Sequence, residues 1–128
     1  MKIEHLAIWV EDLEEMKIFY TKYFDMKCGA KYINEHRKFS SYFLSFDSGT
    51  RIEIMHQPGI SEQIGNKGII NGLTHFAISV GNKEKVNQLT ELFRSDGFEI
   101  TGEPRTTGDG YYESVILDPE GNSIEITE

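Results

Sequence analysis

Two histidines and two glutamates occupy matching places in the two halves of the 128-residue sequence. His5 and His75 lie 70 positions apart, and each precedes a short apolar stretch, "LAIWV" or "FAISV". Glu53 and Glu125 each stand between two isoleucines, in "RIEI" and "SIEI". Imidazole nitrogen and carboxylate oxygen suit Zn²⁺, Ni²⁺ and Co²⁺, and also Mn²⁺ or Fe²⁺. If the two halves face each other, these residues form a His₂Glu₂ site for one divalent ion.

Strand periodicity determines which way these side chains point. Successive side chains of a strand alternate between faces, so Glu53 and Glu125 project opposite to their flanking isoleucines. A helix must cover the more apolar face of each sheet, which leaves His and Glu on the other face. One such glutamate is usually solvated, and one such histidine is usually a hydrogen-bonded packing residue. Folding alone does not require the same pair in both halves, and this repetition favours a metal site.

Each half of the sequence predicts one strand, one helix and three further strands. Asp12 and Asn82 are placed to cap the two helices, and Gly97 suits the position after the second helix. The predicted fold is therefore α+β, with two tandem βαβββ modules in a single domain, 1–128. The modules cover about 1–57 and 73–128, and a glycine-rich linker covers 58–72. The strands are predicted at 3–10, 27–34, 39–46, 50–56, 73–80, 99–104, 111–118 and 122–127. The apolar helix stripes are predicted from Leu13, Met16, Tyr20, Tyr23 and Phe24, and from Val86, Leu89, Leu92 and Phe93.

Composition limits the classes of partner. The formal net charge is -8, and no cluster of Lys and Arg is present to contact phosphates, which argues against nucleic acid and against anionic membrane surfaces. Cys28 is the only cysteine, so neither an internal disulfide nor a CxxC zinc site is expected. The first apolar stretch is too short for a signal peptide or a membrane span. We expect a cytoplasmic protein that acts on a small molecule.

The sequence resembles the glyoxalase I branch of the vicinal oxygen chelate superfamily along its whole length. The resemblance is carried by "EHLAIWVEDLEEMKIFYTKYFDMK", "RIEI", "THFAISV" and "DPEGNSIEI". It implies curved sheets around a metal-binding cup, with the first and last strands of each module adjacent. His5 would then lie beside Glu53, and His75 beside Glu125, with all four side chains holding one divalent metal. It also implies a homodimer, and it leaves open whether a site forms within one chain or across two.

The resemblance further implies the reaction of a lactoylglutathione lyase-like metalloenzyme. Its substrate is the hemithioacetal that a 2-oxoaldehyde forms with a thiol, and isomerisation proceeds through an enediolate. A glutamate among the metal ligands moves a proton between adjacent carbons, as general base and then as acid. By position, Glu125 is the first candidate for this base, and Glu53 is the second.

The substrate-binding residues depart from the pattern of the family. In glutathione-using members an arginine commonly lies four residues after the first histidine, and here that position is Trp9. Arg37, Lys38 and Arg105 are possible replacements, although ordinary loop charge is the better interpretation for Lys38. Trp9 is expected on the same face of the sheet as His5. Forming the wall of a pocket and simply packing against neighbouring side chains are equally good interpretations of this residue.

Three other functions are compatible with the same fold. A metal-dependent thiol transferase of the fosfomycin-resistance kind, or an epimerase, usually lacks a glutamate at the position of Glu53. An extradiol dioxygenase uses a His₂Glu iron site with open positions, against which a fourth ligand argues. A bleomycin-binding resistance protein is not an enzyme and does not need the His₂Glu₂ set. The acidic chain nevertheless suits the cationic ligand of such a protein. The metal, the thiol and the physiological substrate stay open.

Overall fold

A computed structural model describes residues 3–60, 72–108 and 110–128. The chain divides into two compact units, 1–62 and 63–128. In each unit one helix lies against one mixed sheet, so the predicted α+β class with a repeated βαβββ pattern is confirmed. Most of the linker predicted at 58–72 lies outside the described residues.

The first unit has five strands and one helix. Its sheet has the order β1-β5-β4-β2, and β3 also pairs with β4. β1 runs parallel to β5, whereas the other pairs are antiparallel. The strand predicted at 27–34 is therefore two short strands, both of which pair with β4. The elements are β1 (His5–Trp9), α1 (Leu13–Phe24), β2 (Lys27–Cys28), β3 (Tyr32–Asn34), β4 (Phe39–Ser45) and β5 (Arg51–His56).

Helix α1 begins directly after Asp12, the cap that the sequence predicts, and it ends at Phe24. The Asp12 carboxylate accepts the backbone N–H groups of Glu14 and Glu15 at 3.0 and 2.9 Å, which satisfies two donors of the first turn. Asp25 ends the helix in the left-handed conformation, with φ of 52°. The apolar stripe buries five side chains against the sheet: Leu13, Met16, Phe19, Tyr20 and Phe24.

The second unit has four strands and one helix. Its sheet has the order β6-β9-β8-β7, with β6 parallel to β9 and the other pairs antiparallel. The strand predicted at 73–80 begins only at Phe76, so His75 lies immediately before it. The elements are β6 (Phe76–Ser79), α2 (Lys83–Ser95), β7 (Ile100–Thr106), β8 (Tyr112–Leu117) and β9 (Ser123–Thr127).

One residue of the apolar stripe predicted for helix α2 does not lie in the core. Asn82 caps the helix by accepting the backbone N–H of Lys85 at 2.9 Å. Leu92 was predicted in the apolar stripe, but 46% of it is exposed. Thr90 is fully buried instead, because its hydroxyl finds two partners: the Val86 carbonyl and the Ser114 hydroxyl, both at 2.7 Å. A satisfied polar residue can therefore replace an apolar one in this core.

The two sheets place their glutamates in the same way. Ala7 of β1 lies opposite Glu53 of β5, and Ala77 of β6 lies opposite Glu125 of β9. The isoleucines that flank each glutamate are 5% exposed or less, because they face the helix. The glutamate side chains therefore project from the face that the helix of the same unit leaves uncovered.

Candidate active site

In the first unit, His5 and Glu53 come together on the uncovered face. The distance from His5 Nε2 to Glu53 Oε2 is 3.8 Å. His5 lies two residues before Ala7, which is the register partner of Glu53. The small methyl side chain of Ala7 leaves room for the imidazole of His5. The Glu53 side chain is 15% exposed and that of His5 is 40% exposed, so the carboxylate is the deeper of the two groups.

A second carboxylate fixes the ring of His5. Nδ1 of His5 lies 2.6 Å from Glu4 Oε2, and Glu4 Oε1 accepts from Arg51 Nη2 at 2.5 Å. The bond to His5, followed by Arg51, holds the pKa of Glu4 below its usual range, although partial desolvation opposes this shift. Because an ionised carboxylate only accepts, Nδ1 of His5 is the donor in this contact, and Nε2 is the ring nitrogen that faces Glu53.

An arginine and a phenylalanine complete this arrangement. The Arg51 guanidinium lies 4.1 Å from the centre of the Phe43 ring, and that ring meets His5 edge-on at 5.4 Å. Glu4 and Arg51 were not among the site residues predicted from the sequence. A signal existed, because Glu4 adjoins His5 and Arg51 shares a strand face with Glu53 in "RIEI".

In the second unit, His75 and Glu125 form the equivalent pair. His75 Nε2 lies 3.2 Å from Glu125 Oε2, and the side chains are 42% and 21% exposed. Their sheet neighbours on this face include Ala77, Val115 and Ser123. Within the described residues, Glu125 is the only hydrogen-bonding or ion-pair partner of His75.

The donor atoms of each His–Glu pair are of the kinds that a divalent ion binds. Two ligands bound at about 2.0–2.2 Å in adjacent positions of one ion lie roughly 3 Å apart. The separations of 3.2 and 3.8 Å are close to that value. No group of three or more His, Cys, Asp or Glu side chains that could hold a metal occurs within residues 3–60, 72–108 and 110–128. Each unit by itself therefore offers half of the predicted four-ligand set.

The predicted substrate-binding residues of the first unit differ in position. Trp9 lies on the same face of β1 as His5, 47% exposed, and contacts Phe39 edge-on at 6.1 Å. Trp9 is therefore partly packed against Phe39 and partly exposed at the surface. Arg37 lies exposed in the turn before β4. It is six residues from Phe43, and Phe43 is the register partner of Glu53. The structure of this unit does not bring Arg37 beside the His5–Glu53 pair.

Arg105 has a different position, because it lies in strand β7 rather than in a loop. Its Nη2 is 3.8 Å from Oε1 of Glu113, a glutamate of β8 that is only 9% exposed. Glu113 and Glu125 project from the same face, since Glu113 and Val115 alternate with helix-facing residues and Val115 lies opposite Glu125. Glu113 was not among the site residues predicted from the sequence, although it is the one charged residue inside "YESVIL".

Comparison with known proteins gives a consistent assignment. Residues 2–126 match the family model described as Glyoxalase/Bleomycin resistance protein/Dioxygenase superfamily. A lactoylglutathione lyase of Arabidopsis thaliana is 32% identical, over 97% of this chain and 43% of the relative. A lactoylglutathione lyase of Salmonella typhimurium is 29% identical, over 100% of this chain and 93% of the relative. The crystal structure of glyoxalase I from Zea mays matches with a TM-score of 0.80 and 28% identity, over 98% of this chain and 44% of that one.

The chain thus spans less than half the length of the plant proteins that it matches, and nearly the full length of the bacterial one. Among the described residues no helix has the length and apolar character needed to cross a membrane. The family model covers almost the whole sequence, including both His–Glu pairs. The chain therefore belongs to the glyoxalase/bleomycin resistance protein/dioxygenase superfamily.

Proposed function

We propose that this protein is a glyoxalase I-like, metal-dependent lyase that isomerises the hemithioacetal of a 2-oxoaldehyde and a thiol. One observation carries the proposal: both units set a histidine Nε2 beside a glutamate Oε2, at 3.8 and 3.2 Å, on the same strand register. Similarity to lactoylglutathione lyases supports it. In this proposal the two units form a single cytoplasmic domain, 1–128.

The proposed ligands of one divalent ion are His5, Glu53, His75 and Glu125. Zn²⁺, Ni²⁺ or Co²⁺ suits this donor set best, and Mn²⁺ or Fe²⁺ is also compatible with it. When bound, such an ion would supply Lewis-acid stabilisation of negative charge on adjoining oxygens. The carboxylates have a separate advantage, since a nearby cation removes the cost of holding two negative groups close together.

The proton transfer is assigned to Glu125. Its carboxylate takes the proton from the carbon that bears sulfur, which leaves an enediolate, and then returns a proton to the neighbouring carbon. The product is a 2-hydroxy thioester, an isomer of the adduct, so no oxidant or reductant is needed. Glu53 is the second candidate for this role. It is the less exposed of the two, at 15% against 21%, which favours Glu125 as the group that reaches substrate.

The remaining substrate contacts are proposed from their positions. Trp9 shares a face with His5 and offers an apolar surface beside the His5–Glu53 pair. Arg105 offers a positive charge on the corresponding face of the second unit. Arg37 is retained as a contact only for a substrate long enough to reach the turn before β4.

Metal analysis followed by an activity assay tests the proposal. Protein purified without chelator should contain about one divalent ion per chain, and chelation should abolish turnover and lower thermal stability. The assay uses methylglyoxal with several thiols and follows the formation of thioester. Tight drug binding without metal would indicate a bleomycin-type protein. Ring cleavage of a catechol would indicate a dioxygenase, and transfer of the thiol to an epoxide would indicate a thiol transferase.

We also propose a homodimer, and mixed dimers test where the ligands come from. Light scattering should give twice the 14.7 kDa chain mass. A His5→Ala chain and a His75→Ala chain are each expected to be inactive. Co-expressed, they should regain roughly half of the activity per heterodimer only if each site combines one pair from each chain. If all four ligands belong to one chain, the mixture stays inactive. A monomer would contradict the homodimer and leave the metal proposal standing.

A further inference from the structure

One buried hydroxyl of the first unit has no hydrogen-bond partner. Ser41 lies in β4 and is 1% exposed. Among the described residues, Ser41 Oγ is the one buried side-chain nitrogen or oxygen atom without such a partner. The buried hydroxyl of Ser114 in the second unit, by contrast, lies 2.7 Å from the Thr90 hydroxyl. Burying a polar group without a hydrogen bond costs stability, so a serine at position 41 favours a role outside folding.

Strand alternation places the Ser41 hydroxyl on the same face of the sheet as His5. Tyr42, the next residue of β4, points toward α1, where its hydroxyl donates to Glu14 at 2.9 Å. Ser41 therefore points to the other face, as does Phe43, whose ring meets His5 edge-on. The unpaired hydroxyl thus belongs to the uncovered face that carries the first His–Glu pair.

The other side chains in the row of Ser41 carry no charge. Across β3, β4, β5 and β1, the register places Tyr32, Ser41, Met55 and Trp9 side by side. Met55 lies two residues after Glu53 on β5, so this row is roughly 7 Å along the strands from the row of that carboxylate. A side chain of about this length, attached to a carbon held at Glu53, therefore reaches the serine.

Aromatic rings near Ser41 determine which kind of group fits there. Phe39 lies two residues before Ser41 on the same face, and its ring is 6.1 Å from that of Trp9 and 6.0 Å from that of Tyr32. Trp9 and Tyr32 are 47% and 54% exposed, so a ligand displaces relatively few of their contacts when it reaches Ser41. Because aromatic rings pack well edge-to-face and offset, these surroundings favour a planar apolar group.

We propose that Ser41 is a specificity-determining residue for the 2-oxoaldehyde part of the substrate, and that its hydroxyl hydrogen-bonds a polar substituent on an aromatic side chain of that aldehyde. The choice of ligand rests on the proposed function. The aldehyde part is chosen because the row of Ser41 holds no charged residue to meet the charged groups of a thiol such as glutathione. A ligand with the matching substituent gives the serine its missing partner, and a ligand without it leaves the serine unpaired. The competing interpretation is a serine that only fills space in the sheet.

Thermal melting tests the state of this hydroxyl without any ligand. Ser41→Ala removes an unpaired polar group, so the melting temperature should stay the same or rise. Ser114→Ala is the matched control, because it removes a buried hydroxyl that is paired with Thr90, and its melting temperature should fall. An equal fall in Ser41→Ala means that the Ser41 hydroxyl has a partner in the folded protein, and this result overturns the inference.

Calorimetric titration of the metal-loaded protein tests the contact itself. The probes are S-(4-hydroxyphenacyl)glutathione and S-(4-methylphenacyl)glutathione, which cannot isomerise because they lack the carbinol oxygen of the adduct. The wild type should bind the hydroxyl probe about 3- to 10-fold more tightly than the methyl probe of similar size, as expected for one neutral hydrogen bond. Ser41→Ala should lose this preference, whereas Ser41→Thr, which keeps a hydroxyl, should retain it. Ser114→Ala should bind both probes as the wild type does.

Turnover of the matching aldehydes extends the test. The substrates are the adducts of 4-hydroxyphenylglyoxal and 4-methylphenylglyoxal, and the ratio of their kcat/KM values is compared between proteins. Any difference in intrinsic reactivity of the two aldehydes cancels in this comparison. The ratio should fall about 3- to 10-fold in Ser41→Ala and stay at the wild-type value in Ser114→Ala. Thermal melting identifies any variant that fails to fold, and the remaining variants then decide.

The outcomes distinguish this inference from the proposed function. Turnover of both aldehydes with the same ratio in the wild type and in Ser41→Ala overturns the inference and leaves the lyase in place. A preference for the hydroxyl probe that depends on Ser41, in a protein without lyase activity, supports the binding site and overturns the proposed function. A wild-type protein that binds neither probe, or binds both equally, overturns the inference.

Discussion

The two His–Glu pairs share a register but differ in what surrounds them. His5 is held on both ring nitrogens: Nδ1 by Glu4 at 2.6 Å, and Nε2 facing Glu53 at 3.8 Å. His75 faces Glu125 at 3.2 Å and has no second partner within the described residues. The first pair therefore has its imidazole orientation set in advance, while the second pair is held only by its own contact.

A metal ligand that also takes part in catalysis must meet two different requirements. A ligand that only holds a metal benefits from a partner that fixes its orientation and tautomer. A carboxylate that must also carry a proton benefits from freedom to move between positions. If the proposed function holds, Glu4 and Arg51 meet the first requirement in the first unit, and the absence of such a second partner for His75 among the described residues suits the other requirement in the second unit. The repeat thus places the same residue types twice but does not make them equivalent.

The largest expected difference between the two pairs is the effect of replacing each glutamate with glutamine. Glu125→Gln keeps the size and one oxygen donor but removes the basicity, so kcat should fall about 10²- to 10⁴-fold at saturating metal. Glu53→Gln should lose metal affinity and much less of kcat. The measurement is steady-state kinetics across a metal titration, with circular dichroism to verify folding. Equal losses of kcat, or a larger loss in Glu53→Gln, would reverse the assignment of the base.

Removing the outer carboxylate of the first unit should have a smaller effect. Glu4→Gln leaves every proposed ligand in place, but the ring of His5 loses its ionic acceptor, so metal affinity should fall about 10- to 100-fold. Thr74 is the matched position, because it precedes His75 as Glu4 precedes His5. Thr74→Glu should therefore strengthen metal binding. Affinities come from competition with a chromophoric chelator, and an unchanged affinity in Glu4→Gln would show that its bond to His5 does not orient a ligand.

Sequence reasoning reached the repeat, the fold class and the pairing of each histidine with a glutamate. The repeat and the fold class follow from the spacing of the predicted elements, and the faces of the glutamates follow from period-2 alternation in "RIEI" and "SIEI". The pairing of each histidine with a glutamate is what the resemblance implies. The structure bears out the placement of each pair within its own unit, at 3.8 and 3.2 Å. The ligand role of the four residues is still a prediction.

The partners of these residues were not predictable in the same way. Glu113 reads as an ordinary strand charge until the β7–β8 register places Arg105 opposite it. Gly102 lies in the strand predicted at 99–104, but its close approach to the Arg105 guanidinium and to Val115 is visible only in the structure. Leu92 and Thr90 show the same limit, since helical periodicity cannot anticipate that a threonine hydroxyl finds Ser114 inside the core. Such features depend on contacts between strands and helices that are distant in sequence.

The comparison extends to how each helix is fastened to its sheet. In the first unit, Glu14 of α1 binds Lys17, Lys31 at 2.9 Å and the Tyr42 hydroxyl at 2.9 Å. In the second unit a neutral, buried hydrogen bond joins Thr90 to Ser114 at 2.7 Å, and an exposed ion pair joins Arg94 of α2 to Glu103 of β7 at 2.6 Å. The hydrogen bonds of Lys17, Lys31 and Tyr42, in that order, lower the pKa of Glu14 to about 2 from an ordinary value of 4.5. The contacts of Glu14 therefore depend on pH, whereas the hydrogen bond between Thr90 and Ser114 does not.

The smallest expected effect is an acid sensitivity that Glu14→Gln removes. A depressed pKa contributes stability that is fully present above the unfolded pKa near 4.5 and is lost as the pH falls toward about 2. Glu14→Gln should thus lower the melting temperature slightly at neutral pH, since Glu14 is exposed, and should match the wild type near pH 2. The control, Thr90→Val, leaves the Ser114 hydroxyl without its buried partner and should cost about 1–3 kcal/mol at every pH. Melting curves between pH 2 and 7 make the comparison, and a Glu14→Gln deficit that persists unchanged at pH 2 would show that its contacts stabilise α1 through packing rather than through charge.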